Sequence, residues 1–413
     1  MSESGRTTQR LQDAEWLTHG ALRRLLEVLS ENGEEARVAG GAVRNALMSL
    51  PSGDIDVATT ATPEEVIKRV TAAGFKAVPT GIAHGTITAV IPSGPIEVTT
   101  LRRDLSTDGR RATIAYTDDW REDAARRDFT INALSADPVT GEVHDYFDGE
   151  ADLRAGRVRF IGEPLTRIAE DHLRILRFFR FHARFGSGAP DPAGLAACAE
   201  RANDLMALSR ERISDELLKL LAHRDPVSTV ALMLEQGIFQ PVVPEIGAAG
   251  VALLDRLVRR EQALGIAPDP LRRLAALLPA DGAVAGEIAM RLKLSNAARR
   301  RLELAADRTG IDPARPDAAA YRFGADVAVD RLLIGIDDEQ AAAAAAAAVN
   351  GWERPKLPIG GGDLIALGLR AGPVVAATLQ AIERQWIEEG FPDSDRVRAI
   401  AEDKVDQALR SSR

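Results

Sequence analysis

Two aspartates stand two positions apart in the segment GDIDV, residues 53–57. In a β-strand, residues i and i+2 point to the same face, so Asp54 and Asp56 are predicted to project together, with the apolar Ile55 and Val57 facing the core. Neighbouring carboxylates repel, and a shared divalent cation is the usual reason to tolerate this repulsion. Oxygen ligands suit Mg²⁺, and a pair of such ions stabilises the attacking and leaving oxygens of a phosphoryl transfer. Taken alone, the pattern is more typical of a solvated strand face.

A glycine pair lies just upstream, in the segment VAGGAVRNAL at residues 38–47. The pattern predicts a strand, then a turn at Gly40 and Gly41, then a helix with Arg44 in its first turn. Glycines let backbone amides approach a phosphate chain, and a helix N-terminus favours anions. A plain tight turn explains the two glycines equally well. The glycine spacing matches neither a Walker A loop nor a GxGxxG dinucleotide motif, and no lysine follows.

Two further segments carry charged residues at regular spacing. The first, RRDFTINAL at residues 126–134, begins with a basic pair that on its own is typical of a solvated surface. The second begins with EDHLR at residues 170–174, and its charged residues recur at every third position, which predicts one broad helical face. These positions are Asp171, Arg174, Arg177 and Arg180, with Arg184 four residues further on. The ordinary interpretation is a salt-bridged helix face in contact with solvent.

Together, these segments resemble the ordered motifs of the class II tRNA nucleotidyltransferase and bacterial poly(A) polymerase family. The motifs that carry the resemblance are GGAVRNAL (40–47) with GDIDVATTATPEEV (53–66), RRDFTINAL (126–134), DYFDGEADLRAGR (145–157), EDHLR (170–174) and SRERISDELLKLL (209–221). Five motifs in the same order make the resemblance specific, and it extends from about residue 38 to residue 221. Beyond about residue 245 no motif is similar.

The resemblance implies roles for individual residues. Asp54 and Asp56 are expected to be catalytic and to hold the metal ions, with Mg²⁺ as the cofactor. Glu97, in a predicted strand at residues 96–100, is the candidate for a third catalytic carboxylate, although an ordinary strand charge fits it equally. The expected nucleotide-binding residues are Gly40, Gly41, Arg44, Arg127, Asp128, Asn132, Asp171, Arg174, Arg177 and Arg180.

In the family, Asp171 and Arg174 are expected to face the incoming base. Cytosine and adenine each present an amino donor beside a ring-nitrogen acceptor, and an aspartate acceptor next to an arginine donor matches both. Uracil and guanine present the opposite order and would leave polar groups unpaired, which costs a large discrimination factor. One site could therefore accept C and A, and reject U and G, without a nucleic-acid template.

Two short stretches favour the CCA-adding branch of the family. Poly(A) polymerases usually carry a basic stretch before the RRDFT motif, whereas residues 80–86, TGIAHGT, contain no arginine. Residues 103–123 resemble the flexible loop that CC-only enzymes lack, and their polar start suits a mobile loop. This branch implies addition of C, C and A to the tRNA 3′ acceptor end from CTP and ATP. His84 is either a catalytic or sugar contact or a structural loop residue.

The elements that must position these side chains form an α+β head followed by helices. Strands are predicted at residues 37–39, 54–57, 86–91 and 96–101, with helices at 11–30, 42–49 and 63–73, which indicates a mixed sheet with helices. After about residue 163 the pattern is helical throughout, and the alanine run at 341–348 is interpreted as a tightly packed helix. The predicted domains are an N-terminal helix (1–32), a catalytic head (33–162), a neck with nucleotide-selecting motifs (163–245), and a helical body and tail for tRNA binding (246–413).

Composition restricts the function classes. The chain has 413 residues, a net charge of −9 and one cysteine, Cys198, which excludes an internal disulfide and a multi-cysteine zinc site. The six histidines include no HExxH motif, and His144 with Asp145 is interpreted as structural. No apolar run approaches the roughly 20 residues of a membrane span, and the polar start of the chain indicates a cytoplasmic protein. RNA would bind local basic surfaces by shape and phosphate contacts. Candidates are the arginines at 259–260, 272–273 and 299–301, each also explained as a solvated helix face.

Three alternatives remain beside a CCA-adding enzyme. A poly(A) polymerase of the same family would extend its product without limit. A catalytically silent RNA-binding protein would have no need of the Asp54 and Asp56 pair or of the intact RRD segment. Nucleotidyl transfer to a small molecule would leave the long helical region unexplained. The sequence does not define the oligomeric state or the tRNA footprint.

Overall fold

The computed structural model describes residues 11, 14, 16, 20–51, 53–108 and 111–411. The chain divides into two compact units, Met1–Pro244 and Glu245–Arg413. The first contains a mixed sheet with helices and then further helices, and the second is helical in all its regular elements. The predicted fold class, an α+β head followed by an all-α remainder, is confirmed.

A mixed sheet of seven strands forms the centre of the head. In spatial order its strands are β3 (Lys76–Gly81), β4 (Thr86–Ile91), β5 (Gly94–Thr100), β2 (Asp56–Thr59), β1 (Ala36–Ala39), β8 (Ser135–Ala136) and β9 (Val143–His144). Strands β2 and β5 are parallel and the other neighbouring pairs are antiparallel. The helices of the head are Gly20–Leu29, Gly41–Leu47, Pro63–Ala72, Trp120–Ala125 and Gly149–Arg154.

The head core lies between the sheet and two of these helices. Apolar residues at helical spacing on Gly20–Leu29, among them Leu22 and Leu25, are buried against strand residues such as Val38, Val57 and Val98. The helix Pro63–Ala72 begins with proline at its first position, and the Thr62 side chain accepts a hydrogen bond from the Glu65 amide, as expected of a capped N-terminus. Burial of one sheet face leaves the polar residues of β2 and β5 on the opposite side.

Three predicted boundaries in the head differ from the structure. The first helix spans Gly20–Leu29, and part of the segment predicted before it, including Leu17, lies outside the described residues. Strand β2 begins at Asp56, so Asp54 precedes the strand in a bend, and the prediction of a strand through Asp54 is wrong. The reason is its neighbour: β1 pairs Ala39 with Asp56 and then turns away at Gly40, so residues before Asp56 have no β1 partner.

The third difference concerns residues 103–123, which were expected to form an irregular loop. Instead, β6 (Arg102–Asp108) and β7 (Arg111–Tyr116) pair as an antiparallel hairpin, and the helix Trp120–Ala125 follows. Residues 109 and 110 lie outside the described residues. A two-stranded hairpin satisfies its backbone hydrogen bonds without an apolar core, so a polar sequence gives little sign of it.

Helices fill the rest of the first unit. Their bounds are Pro164–Glu170, Arg174–Phe185, Pro192–Glu200, Arg210–Leu221 and Val227–Glu235. An aromatic cluster joins the helix Arg174–Phe185 to the RRDFT segment: the Phe129 ring lies 4.9 Å from that of Phe160 and 5.3 Å from that of Phe181, and Phe160 stacks on Phe178 at 5.6 Å. These contacts hold the arginine-bearing helix against the head, because buried aromatic rings contribute large contact areas.

The second unit consists of helices, with bounds Ala248–Leu264, Pro270–Leu277, Gly282–Arg291, Asn296–Ala306, Pro316–Phe323, Ala325–Gly335, Glu339–Val349, Gly361–Ala366, Pro373–Glu388 and Ser394–Ser411. The alanine run lies within Glu339–Val349, where Ala342, Ala345 and Ala346 are buried, so the packed-helix prediction is confirmed. Among the described residues, no helix has both the length and the apolar character needed to cross a membrane.

Burial overturns the basic surface expected at residues 272–273 and removes Arg260 from the one expected at 259–260. Arg272 donates to Glu261 at 2.7 Å and to Asp330 at 2.8 Å, and Arg273 pairs with Glu261 at 2.7 Å. Arg260 is also buried and donates to main-chain carbonyls, including that of Leu333. Arginines at 260, 272 and 273 therefore stabilise the unit's interior. Arg259 and Arg300 remain exposed.

Candidate active site

One cavity of about 740 Å³ collects the predicted site residues in the first unit. Its lining residues are Gly40, Gly41, Arg44, Asn45, Pro51, Gly53, Asp54, Asp56, Arg127, Asp128, Asn132, Asp171, Arg174, Arg177, Arg180, Phe181 and Arg184. Every residue predicted to bind the metal or the nucleotide lies in this set. Six arginines face four aspartates in the lining, so the site has a positive excess that suits a polyphosphate.

Asp56 begins strand β2 and Asp54 lies two residues before it, and both side chains are exposed to the cavity. Among the described residues, none forms a hydrogen bond or an ion pair with the carboxylate of Asp54 or Asp56. The pKa of Asp56 is raised, first by burial, then by the negative charges of Glu97 and Asp54, and is partly restored by Arg127. Unpaired oxygen ligands with mutual repulsion fit a divalent cation such as Mg²⁺.

Glu97 does not line this cavity. It lies opposite Asp56 in the register of β2 and β5, and it lines a smaller cavity of about 200 Å³ that shares Asp56 and Arg127 with the first. Within the described chain, no three carboxylate, histidine or cysteine side chains are gathered closely enough to hold one metal ion. Of the described residues, Asp54 and Asp56 are the two carboxylates that line the large cavity together without a partner, and the negative charge of Glu97 raises the pKa of Asp56.

The turn at Gly40 is shaped by a close neighbour. Gly40 has a φ of +69°, in the left-handed region, and a Cβ atom there would lie 3.0 Å from the Arg127 guanidinium. A side chain at this position would be strained and would displace that arginine. The glycine therefore allows the β1 turn and the RRD segment to approach each other, as well as leaving backbone open to the cavity.

Arg44 is buried at the base of the cavity, with 6% of its surface exposed. Its guanidinium donates to the side-chain oxygens of Asn132 and of Asn45, the latter at 3.0 Å, and lies 4.2 Å over the Phe185 ring. Burial, with help from the Arg184 charge, lowers the pKa of Arg44 to about 9. A buried cation beside other cations is stabilised by an anion, which favours a phosphate group here.

Asp128 and Asn132 organise the RRD segment. The Asp128 carboxylate accepts hydrogen bonds from the Asn132 amide at 2.9 Å and from Arg177 Nε at 2.7 Å. Burial alone would raise the pKa of Asp128, but the Arg177 charge and these hydrogen bonds hold it below its usual value. Arg127 donates to the Asn132 carbonyl at 3.4 Å and to Asp123. Both oxygens of the buried Asp128 carboxylate therefore accept hydrogen bonds, and the carboxylate holds Asn132 and Arg177 in place.

Asp171 and Arg174 line the cavity, but they do not share a helix face. The helix Pro164–Glu170 ends at Asp171, whose backbone is extended, and the next helix begins at Arg174. The prediction that Asp171 continues the row of helical arginines is therefore wrong. Arg174 donates to Glu170 and to the Arg167 carbonyl.

Sequence reasoning missed the residues that form hydrogen bonds with Asp171 and Arg180 but do not themselves line the cavity. Asp171 accepts a hydrogen bond from Arg212 at 2.7 Å, and Arg180 donates to the buried Glu216 at 2.6 Å. Arg212 and Glu216 both belong to the helix Arg210–Leu221. This helix lies in a motif that the sequence identified, but the sequence did not predict what its side chains contact. Asn45 was also missed: its amide donates to the Pro51 carbonyl at 3.2 Å and so anchors the loop before Asp54.

The two histidines considered from the sequence lie outside the large cavity. His84 is in a short turn, where its carbonyl accepts a hydrogen bond from Arg102. His144 is in β9, and burial with the nearby Arg37 charge lowers its pKa. Asp145 accepts hydrogen bonds from the amides of Phe147, Gly149 and Glu150, which agrees with a structural interpretation of the His144–Asp145 pair.

Comparisons with known proteins cover most of the chain. Residues 36–159 match the family model described as the Poly A polymerase head domain, and residues 189–249 match the one described as the probable RNA and SrmB-binding site of polymerase A. The chain is 34% identical to CCA tRNA nucleotidyltransferase 1, mitochondrial, of Mus musculus over 399 residues, 93% of this chain and 90% of that protein. It is 33% identical to the CCA-adding enzyme of Limosilactobacillus fermentum over 379 residues, 89% of this chain and 92% of that one.

Solved structures give the same result for the fold. The crystal structure of the Bacillus stearothermophilus CCA-adding enzyme in complex with CTP has a TM-score of 0.71 and 27% identity, covering 90% of this chain and 94% of that one. The Thermotoga maritima CCA-adding enzyme complexed with tRNA has a TM-score of 0.70 over 99% of this chain. At 20% identity, the second likeness concerns the fold alone.

Proposed function

We propose that this chain, which belongs to the family of CCA tRNA nucleotidyltransferases, adds C, C and A to the 3′ end of tRNA from CTP and ATP without a nucleic-acid template. The observation that carries the proposal is the shared cavity, in which the aspartate pair, the glycine turn, the RRD segment and the EDHLR segment line one space. The family resemblance inferred from the motifs is confirmed by the relatives.

The reaction joins the terminal 3′-hydroxyl oxygen of the RNA to the α-phosphorus of the incoming nucleotide. The bond from that phosphorus to the oxygen that bridges the α- and β-phosphates breaks, and pyrophosphate leaves with the bonding electron pair. The proton of the attacking hydroxyl is released to solvent. Arg44 and Arg127 lie where they can bind the triphosphate, and Asp128 with Asn132 holds them in place. Positioning and charge stabilisation supply most of the catalysis in such a transfer.

Asp54 and Asp56 would hold the divalent metal ions that the family uses. When bound, these ions polarise the phosphoryl group and lower the cost of an attacking alkoxide. We propose Mg²⁺ as the ion, because the candidate ligands are carboxylate oxygens and the proposed substrate is a nucleoside triphosphate. The raised pKa of Asp56 supports this, since a carboxylate that is costly to ionise gains most from a cation.

Asp171 and Arg174 would read the base, because an acceptor beside a donor matches the shared edge of cytosine and adenine. Both side chains line the cavity that holds Asp54, Asp56 and the arginines. The 3′ end of the RNA must share this space with the nucleotide. The helical second unit would bind the rest of the tRNA, by shape and phosphate contacts.

A cytoplasmic location remains a prediction from the sequence, and three of the relatives are mitochondrial by name. The poly(A) polymerase alternative is less well supported, since the relatives that match most of the chain are named for CCA addition.

The direct test is to incubate the purified protein with a tail-less tRNA and all four nucleotides, and to sequence the product ends. We expect CCA at the 3′ end of every extended molecule. Products with a long A tail would identify a poly(A) polymerase. No extension of any RNA, with tRNA binding intact, would identify a catalytically silent RNA-binding protein.

A further inference from the structure

The helix Arg210–Leu221 belongs to the motif at residues 209–221, which has no role in the proposed reaction so far. It packs against the helix Arg174–Phe185. Two of its side chains, one turn apart, reach residues that line the nucleotide cavity: Arg212 contacts Asp171, and Glu216 contacts Arg180 and lies 3.7 Å from Arg177. This helix therefore forms a layer behind the cavity wall.

The Asp171 carboxylate is held by two donors, one on each oxygen. Arg212 Nη2 donates to Oδ2 at 2.7 Å, and the Leu173 amide donates to Oδ1 at 3.2 Å. A carboxylate has about four lone-pair positions, so about two remain for a ligand donor. Because Asp171 lies in an extended link between two helices, helix geometry does not fix its side chain. The short charged contact to Arg212 is the stronger anchor.

We propose that Arg212 is a positioning residue for base selection: it fixes the Asp171 carboxylate so that its free lone pairs accept only from the amino group of cytosine or adenine. The inference rests on the proposed function. Without Arg212, the long contact to Leu173 is the remaining anchor, and the carboxylate can rotate away from a mismatched carbonyl. Uracil and guanine then lose the penalty that excludes them, because rejection depends on leaving buried polar groups unpaired.

Glu216 should act differently, although it is on the same helix. Its 4% exposed carboxylate binds Arg180 and lies near Arg177, on the side of the cavity where the charges are positive. Loss of Glu216 should therefore weaken binding of all nucleotides alike. Loss of Arg212 should change the ratio between them.

The test compares kcat/KM for CTP and UTP at the first added position of a tail-less tRNA, with the full-length enzyme. In Arg212→Met, which keeps an unbranched side chain but removes the guanidinium group, we expect the CTP-to-UTP ratio to fall about tenfold or more. Arg212→Lys should restore part of the ratio. The matched control is Lys219→Met on the same helix, whose ion pair with Asp215 is exposed, and it should keep the wild-type ratio.

A double variant separates positioning from a general effect on the fold. In an Asp171→Asn background, replacing Arg212 should leave the already lowered ratio unchanged. An unchanged ratio in a folded Arg212→Met enzyme would overturn the proposal, as would an equal fall in the Asp171→Asn background. If Arg212→Met does not fold, the same criteria apply to Arg212→Gln, which also removes the charge. Failure of the wild-type enzyme to add C and A would instead overturn the proposed function.

Discussion

Asp56 lies directly opposite Glu97 across the parallel strands β2 and β5. Side chains at one register position of a sheet point to the same face, so the two carboxylates repel each other. Burial of Asp56 raises its pKa first, and Glu97 and Asp54 raise it further, while Arg127 compensates only in part. The carboxylates of Asp54, Asp56 and Glu97 therefore repel one another at the position where the cation is expected.

This interaction predicts that Asp56→Asn stabilises the protein while inactivating it. The folded-state pKa of Asp56 lies above the unfolded value, so the ionised carboxylate lowers stability at pH values above the folded pKa. The gain in melting temperature should be largest at neutral pH and should vanish as the pH falls below about 3.8, the ordinary aspartate value. Calorimetry in a chelating buffer measures it. The exposed Asp118→Asn should show no gain, and a less stable Asp56→Asn would contradict the argument.

The metal-binding assignment predicts that Asp54→Ala and Asp56→Ala each reduce nucleotidyl transfer by about a thousandfold, because several kcal/mol of charge stabilisation are lost. Binding of tRNA, measured on filters, should stay near the wild-type level, since both carboxylates serve the metal and not the RNA. Single-turnover incorporation at saturating Mg²⁺ provides the comparison. Retained transfer in both variants would show that these aspartates do not hold the metal. Glu97→Gln, measured in parallel, tests the third carboxylate.

The base-reading assignment predicts a loss of selectivity in Asp171→Ala and Arg174→Ala. Each variant removes half of the donor and acceptor pattern, so UTP and GTP should be incorporated more readily relative to CTP and ATP. The shift should be about tenfold or more for each substitution, since a matched polar pair is lost. Relative incorporation of the four nucleotides measures it. Slower incorporation with undiminished selectivity would mean that the pair only supports the structure.

The ion-pair network in the second unit predicts a large loss of stability in Asp330→Asn. Asp330 is fully buried and accepts hydrogen bonds from Arg272 and Arg301 at 2.8 Å each. Removing its charge leaves Arg272 with Glu261 and Arg301 with Asp269 as their remaining acidic partners. Breaking a buried ion pair in this way costs up to about 3–5 kcal/mol of unfolding free energy. Urea titration measures the loss. Asp255→Asn, which breaks an exposed pair with Arg259, should cost under about 1 kcal/mol.

The sequence predicted the residues of the cavity better than their geometry. Alternation and helical spacing located most elements, and the motifs located most of the residues that line the cavity. The strand start at Asp56 could not be found, because it depends on where β1 turns away at Gly40. Similarly, the sequence predicts that Arg272 is a basic surface residue, because its buried partner Asp330 lies 58 positions further along the chain. The hydrogen bond between Arg212 and Asp171, which are 41 positions apart, could not be predicted from the sequence for the same reason.

If the protein is a CCA-adding enzyme, synthesis should stop after three nucleotides have been added. The cavity has a volume of about 740 Å³, and it must hold the incoming nucleotide beside the growing 3′ end. If the second unit keeps hold of the tRNA during synthesis, each addition pushes the new end further into this space. After three additions no room remains, so growth should stop at CCA even with ATP in large excess. The absence of arginine from residues 80–86, where poly(A) polymerases carry a basic stretch, supports the same outcome.

A gel ladder from tail-less tRNA with CTP and ATP, followed to long times, measures this end point. The expected product is one discrete band three nucleotides longer than the substrate, which persists when more enzyme is added. As a matched control, a tRNA that already ends in CCA should not be extended, because the space it would need is filled. A band at two cytidines would identify a CC-adding enzyme. A heterogeneous tail tens of residues long would place the chain in the poly(A) branch, because only an end that leaves the cavity after each addition can continue to grow.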